Sequence, residues 1–338
     1  MPTRRRAFPS PLAALLALAL LAPAACGPSG PAAGPGDRPL RIAVIPMGTT
    51  HEFWKSVHAG ARRAALETGV EIVWKGPLKE DDRNEQVQIV ETLAGSGVDA
   101  LVLSPLDDRA LLRPVAEARR SGVPTVVFNS ALQGEEHVAF VSTDNFRGGV
   151  IAARAVGEMT GGRGRLIMVR VKAGVEGTTR REEGFLSTLR AEFPAIAVLS
   201  ENQYGGTSTE TAYQTMENLL ARFGGIDAVF TPNESTTFGC LRALQDHGLA
   251  GRIVHVGFDA SAKLVEALEE GQLSGLVLQD PFEMGYRSLK TAVAHVRGEP
   301  YARDLTTAVV LATRDNMREP AVARLLRPDL SVLGEGRR

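Results

Sequence analysis

The sequence predicts an α/β protein built as two doubly wound, parallel-sheet lobes, and three observations predict it. From Leu40 onward, short apolar runs alternate with longer stretches of helical periodicity, the rhythm of parallel strands joined by crossover helices. Most of the short runs are β-branched and apolar on both faces, as strands covered by helices on both sides must be. The chain has 338 residues, 44% of them hydrophobic. Beyond the N-terminal segment, about 300 residues remain, enough for two cores of roughly 150 residues each.

The N-terminus reads as an export signal: Arg4, Arg5 and Arg6 precede the apolar run Leu12 to Ala22, and small residues lead to Cys26. That run falls short of the ~20 residues that span a bilayer as a helix. "LAPAAC" resembles a bacterial lipoprotein box, with Pro23 where a branched apolar residue is usual. Cys26 is therefore the expected lipidation site, with a soluble secreted product as the alternative. Residues 1–26 form the signal, and 27–39, mostly Gly and Pro, form a linker without regular structure.

Strands are expected at Leu40–Ile45, Glu71–Trp74, Ala100–Leu103, Thr125–Phe128, Arg165–Val171, Ala197–Ser200, Ala228–Thr231, Ile253–Phe258 and Ser274–Leu278. The helices between them carry readable ends. Thr49 and Glu52 have capping-box spacing, and Gly69 can close that helix in the left-handed conformation. Asp81 or Asp82 caps the next, and Gly122 ends the one after it, with Pro114 in or near its first turn. The lobe boundary falls near Asp144. Cys240, inside the helical pattern "TTFGCLRALQ", reads as packing, and two cysteines do not make a disulfide framework.

With 38 basic and 39 acidic side chains the formal net charge is -1, which argues against nucleic acid or an anionic membrane as partner. In open parallel sheets, ligands sit beyond the carboxyl ends of the strands. Those tips carry "MGTTHEF", "SPLDD" and "NSALQ" in the first half, and "EGTTRRE", "ENQYGG", "TPNESTT", "GFDAS" and "LQDPFEMG" in the second. "HEFWK" lacks the second histidine of a zinc-protease motif, because Lys55 stands there. No glycine-rich dinucleotide or triphosphate loop follows a strand, and Asp107 with Asp108 read as helix-capping acids. No metal, cofactor or catalytic group is expected. The tips suit an uncharged polyhydroxyl ligand, whose C–H faces lie on aromatic rings while its hydroxyls pair with Asn, Asp, Arg and Gln.

"FW" after the first strand, "TDNFRGG", "GTTRREEGF", "FTPNESTTFGCLRALQ", "VGFD" and "LQDPFEMG" span both halves. In that order, from Leu40 to about Met317, the chain resembles a type I periplasmic binding protein, near the ribose and other pentose or hexose binders of ABC importers. The resemblance implies a three-strand hinge crossed at roughly Thr143, Gln279 to Pro281 and Leu305 to Thr307. The N-terminal lobe would then be 40–143 plus 280–305, and the C-terminal lobe 144–279 plus 306–320, leaving a tail at 321–338. It implies ligand contacts from His51, Phe53, Trp54, Ser104 and Asn129, and from Arg181, Tyr204, Asn233, Phe258, Asp259 and Gln279. Adjacent residues on a helix do not share a face, so of Phe53 and Trp54 one should pack inward while the other, Phe53, enters the cleft. A ribose binder typically has Asp-Arg where this chain has Asn129 and Ser130, and Asn where it has Ser104, which argues against ribose itself.

The expected function is capture of a sugar-like solute by a monomer in the periplasm or at the cell surface, membrane-bound only through a lipid anchor, with delivery to an ABC transporter permease. The alternative is the ligand-binding part of a signalling or chemoreceptor system, sensing a sugar or autoinducer-2. A DNA-binding regulator is disfavoured by the export signal, and a secreted carbohydrate-active enzyme would need a carboxylate pair facing the cleft.

Overall fold

The computed structural model describes residues 38–334. The expected signal segment, Cys26 and all but the end of the Gly/Pro linker lie outside the described residues, as do the last four positions of the tail. The chain runs β1 (Arg41–Ile45), α1 (Glu52–Thr68), β2 (Glu71–Trp74), α2 (Arg83–Ala94), β3 (Ala100–Leu103), α3 (Leu112–Arg120), β4 (Thr125–Phe128) and β5 (Ala139–Thr143). It continues with α4 (Asn145–Met159), β6 (Arg163–Arg170), α5 (Glu176–Glu192), β7 (Ala195–Tyr204), α6 (Thr209–Arg222), β8 (Ala228–Phe230), α7 (Glu234–Asp246), β9 (Val254–Phe258), α8 (Ala262–Glu269) and β10 (Gly275–Gln279). It closes with α9 (Pro281–Arg297), β11 (Asp304–Thr307), β12 (Val309–Ala312), α10 (Pro320–Leu326) and a 3-10 turn at Ser331–Leu333.

Two sheets result, ordered β11-β5-β4-β3-β1-β2 and β12-β10-β9-β8-β6-β7. The same winding occurs twice, so the carboxyl ends of β1 and β3, and of β6 and β8, each flank a switch point where a ligand crevice belongs. All neighbours are parallel except β10 and β12, which pair antiparallel. The expected strands are present to within a few residues, but β5, β11 and β12 were not among them. β11, "DLTT", is a half-exposed edge strand and shows little apolar character. β5 ends in Ser142 and Thr143, whose hydroxyls turn into the hinge.

Helices α1 and α9 cover one face of the first sheet, over a core that includes Val44, Val102, Phe128 and Met284, while α2 and α3 cover the other. In the second lobe α4 and α5 play the part of α1 and α9. Both crossings depend on paired glycines. A Cβ on Gly60 would lie 1.9 Å from the Phe282 carbonyl oxygen, and one on Gly285 2.1 Å from that of Val57. Likewise Gly149 would meet the Arg181 carbonyl oxygen at 2.0 Å, and Gly184 that of Phe146 at 2.1 Å. Only glycine lets the helix axes come this close.

Caps follow local chemistry, with one correction. Asp82, Asp144, Ser208, Asn233, Ser261 and Asp280 each accept a backbone N–H of the helix they start. Thr49 does not. Its hydroxyl donates to the Pro77 carbonyl, and the N-cap of α1 is His51, with no side-chain cap bond. The Thr49–Glu52 capping box is absent because the chain enters α1 two residues later than that spacing requires. Gly69 ends α1 at φ 67°.

The chain passes between the sheets after Thr143, after Gln279 and between Thr307 and Val309. Thr143 and Thr307, the last residues of neighbouring strands, hold their hydroxyl oxygens 3.1 Å apart. Asp280, at the middle crossing, caps α9 and pairs with Arg324 of α10 at 2.8 Å.

Candidate functional site

The strand tips of both lobes converge on a crevice lined by His51, Phe53, Trp54 and Asn129 on one side, and by Arg181, Asn233, Asp259 and Gln279 on the other. Eight of the eleven expected contacts thus meet in one place. The cavity they enclose is about 40 Å³. A wider cavity of about 400 Å³ lies behind Phe53, Asp259 and Gln279, bordered by Glu52, α8 and the segment Leu325–Leu330. The crevice is the better candidate because polar groups from both lobes point to it.

Two of its residues hold the backbone in a rare conformation. Asn129 and Asp259 have φ of 65° and 68°, and each follows a buried phenylalanine at the end of an equivalent strand, β4 and β9. Asn and Asp tolerate this region better than other side chains, and such outliers gather at ligand sites. The Asn129 amide donates to Ser104 Oγ at 3.2 Å. Asp259 accepts Gln279 Nε2 at 2.7 Å and the Glu234 backbone N–H at 3.2 Å. Gln279 Oε1 is left buried without a protein partner, an acceptor that a ligand hydroxyl would satisfy.

Arg181 is 3% exposed. Its Nε donates to Asn145 Oδ1 and an η nitrogen to the Pro232 carbonyl, both at 2.8 Å, while the guanidinium lies 4.5 Å above the Phe258 ring. Asp259 stands 3.9 Å away. Burial raises the Asp259 pKa, with Arg181 opposing. Asn233 combines two tasks, since its Oδ1 caps α7 through Thr236 N at 3.1 Å while the residue faces the crevice.

Both rings of the Phe53–Trp54 pair line the crevice, edge to face with centroids 4.9 Å apart. Trp54, 3% exposed, also packs in the core with Val57, Ala61 and Phe128, as expected for the inward member of the pair, but it reaches the crevice as well. Ser104 and Phe258 are absent from the lining: Ser104 lies behind Asn129, and Phe258 under Arg181. Tyr204 is a correction. It is 45% exposed, with the Arg170 guanidinium 5.1 Å from its ring, and Thr207 takes the place beside the crevice. β7 is an edge strand in register with Arg170 at Tyr204, so the chain turns inward only after it.

Sequence reasoning missed Glu80 and Glu234. Glu80, in the loop after β2, accepts His51 Nδ1–H at 2.9 Å and Trp54 Nε1–H at 2.5 Å. Burial lowers the His51 pKa, but Glu80 outweighs it and holds the group at about 9. Glu234 accepts the backbone N–H groups of Glu52 at 3.3 Å and Phe53 at 3.1 Å, and Glu52 accepts that of Ala262 at 3.0 Å. Burial pushes the Glu234 pKa up to about 7. Glu234 is the first residue of α7, and no local pattern links it to a helix 181 positions away. Gly177 N–H to Ser130 Oγ and Ala131 N–H to Glu176 also join the lobes.

Residues 42–300 match the periplasmic binding protein domain family. The chain is 28% identical to the xylitol-binding protein of Mycolicibacterium smegmatis, covering 87% of this chain and 82% of that one. It is 27% identical to the ribose import binding protein RbsB of Escherichia coli, covering 76% and 85%. Among solved structures, a carbohydrate transporter solute binding protein of Agrobacterium radiobacter in complex with D-arabinose superposes with a TM-score of 0.82 at 31% identity, over 86% of this chain and 99% of that one. An ABC transporter solute binding protein of Agrobacterium vitis with bound D-fucose gives 0.82 at 29%, over 85% and 100%. With both lobes matched and a crevice formed from their facing tips, the chain belongs to the periplasmic binding protein domain family.

Proposed function

We propose that this chain is an extracytoplasmic solute-binding protein that closes on a neutral sugar or sugar-like polyol and delivers it to the permease of an ABC importer, leaving the ligand unaltered. The observation that carries this is the internal charge balance of the crevice. His51 is matched by Glu80, Arg181 by Asp259, and Glu234 by two backbone N–H groups of α1, while the two rings and the unpaired Gln279 oxygen offer apolar surface and a hydrogen-bond acceptor. A neutral guest with many hydroxyls leaves no buried charge unmatched, whereas an ion would leave one. Ligands named for similar proteins, xylitol, ribose, D-arabinose and D-fucose, are all of this class. The N-terminal sequence supports export, with Cys26 as the anchored residue and the linker to Pro39 as its tether. Among the described residues no helix is long and apolar enough to cross a membrane.

Calorimetric titration with D-ribose, D-arabinose, D-allose, D-fucose and xylitol tests the reading. Saturable binding of at least one, recovered chemically unchanged by mass spectrometry, is expected. Failure of all five alongside binding of a charged solute class would end it.

A further inference from the structure

We propose that Glu80 is a positioning residue that keeps His51 as a fixed hydrogen-bond donor, so that this corner of the crevice selects a ligand group presenting an oxygen lone pair. This deepens the sugar-binding reading and rests on it.

A histidine is ambiguous by nature. Its neutral ring has one donor and one acceptor nitrogen, and only the surroundings decide which faces a ligand. Here Nδ1 is committed, 2.9 Å from Glu80, so Nε2 is what His51 can offer the crevice that it lines. With Nδ1–H on Glu80, a neutral ring would turn a lone pair inward and a charged ring an N–H. The neighbouring carboxylate favours the charged ring.

The other charged groups around His51 push the same way or stand apart. Glu234 from α7 and Asp259 from the tip of β9 also favour the cation. Arg181 is occupied by Asn145, Pro232 and Asp259. Lys172 approaches the backbone carbonyl of Glu80 at 3.4 Å. Glu80 is itself fixed by a second bond, from Trp54 Nε1 at 2.5 Å, and its pKa is lowered by His51 and Trp54 against the effect of burial. One carboxylate thereby sets both the ring plate and the donor beside it. Glu80 is a positioning residue because its carboxylate is engaged by these two side chains.

The test compares wild type, Glu80→Gln, His51→Gln and the double variant, all as full chains. NMR of histidine labelled at Cε1 in ligand-free protein should give a His51 titration midpoint near 9 in wild type. In Glu80→Gln it should fall by about two units, because the strongest force opposing burial is then gone. Calorimetry with D-ribose and xylitol supplies the second arm. Compared with wild type at the same pH, Glu80→Gln should bind equally well near pH 5.5 and roughly tenfold more weakly near pH 8. In the His51→Gln background, Glu80→Gln should add little, within about twofold.

An unmoved midpoint in Glu80→Gln, or an equal loss of affinity at both pH values, overturns the proposal. Should that variant fail to fold, Glu80→Asp keeps the charge at a longer distance and is expected to give an intermediate midpoint. A midpoint unmoved from wild type counts against the proposal in the same way. If neither sugar binds wild type at any pH, the sugar reading fails, and the NMR arm still decides whether Glu80 holds the proton on His51.

Discussion

Glu52 and Glu234 exchange helix termini across the crevice: Glu234 takes the first two backbone N–H groups of α1, and Glu52 takes the first of α8. Each carboxylate belongs to one lobe and satisfies orphan donors of the other, so both bonds exist only while the lobes are together. Glu52→Gln is expected to speed dissociation of a bound sugar by about five- to tenfold, the scale of a lost cap, with little change in association. Stopped-flow fluorescence of Trp54 would measure both rates. An unchanged off-rate would show that the latch does not contribute to closure.

Arg181→Met removes a buried cation while leaving Asn145, the Pro232 carbonyl and Asp259 without it. The expected cost is ~3–5 kcal/mol of stability together with loss of sugar binding. Arg181→Lys should not restore binding, since a single ammonium cannot reach two acceptors while lying flat on Phe258. Thermal melts with and without sugar distinguish these outcomes.

Alanine at Gly60 or Gly149 should cost about 1–3 kcal/mol each, because the added methyl meets backbone that cannot yield. Only Gly149→Ala displaces the Arg181 backbone, so it should also weaken sugar binding at temperatures where the protein is fully folded. Equal affinity losses in both variants would contradict this.

Stability should peak on the acid side of neutrality. His51, held at about 9, contributes stability that is complete below its unfolded value of about 6.5 and lost as pH rises through 9, at most ~3 kcal/mol. Glu234, raised to about 7, contributes below its unfolded range and loses that contribution as pH rises through 7. His255, buried and held at about 3, works the other way: its contribution is present above about 6.5 and lost as pH falls toward 3. Calorimetric melts across pH should therefore show an alkaline decline that His51→Asn shortens and Glu234→Gln begins later.

Tyr204→Ala should leave sugar affinity within about twofold, since the ring lies against Arg170 on the outer edge. Thr207→Val, at the crevice, should reduce it. Titration of both variants under one condition would settle which residue serves the site.

The fold was legible because parallel strands buried on both faces leave an unmistakable apolar rhythm, and β2, β3 and β4 were read to the residue. β11 was not, since a polar edge strand is defined by its partner β5, more than a hundred residues away in sequence. The same distinction divides the site. Residues at strand tips, such as Asn129, Asn233 and Asp259, are placed by the sheet and can be found from it. Glu80 and Glu234 act through contacts with another loop or the opposite lobe, which no local pattern records. Tyr204 failed for a related reason: the resemblance implied a position beyond the strand, but it is the last residue of β7 and the chain turns toward the crevice only after it.

The paired hydroxyls of Thr143 and Thr307 bind two of the three crossing segments side by side into a band. A band bends readily in one direction and resists skewing, because sliding one jaw past the other would pull that pair apart. Opening about such a band would swing the lobes on one axle and return the same faces to the same alignment. Whichever guest produced it, the closed form would then present one repeatable outline.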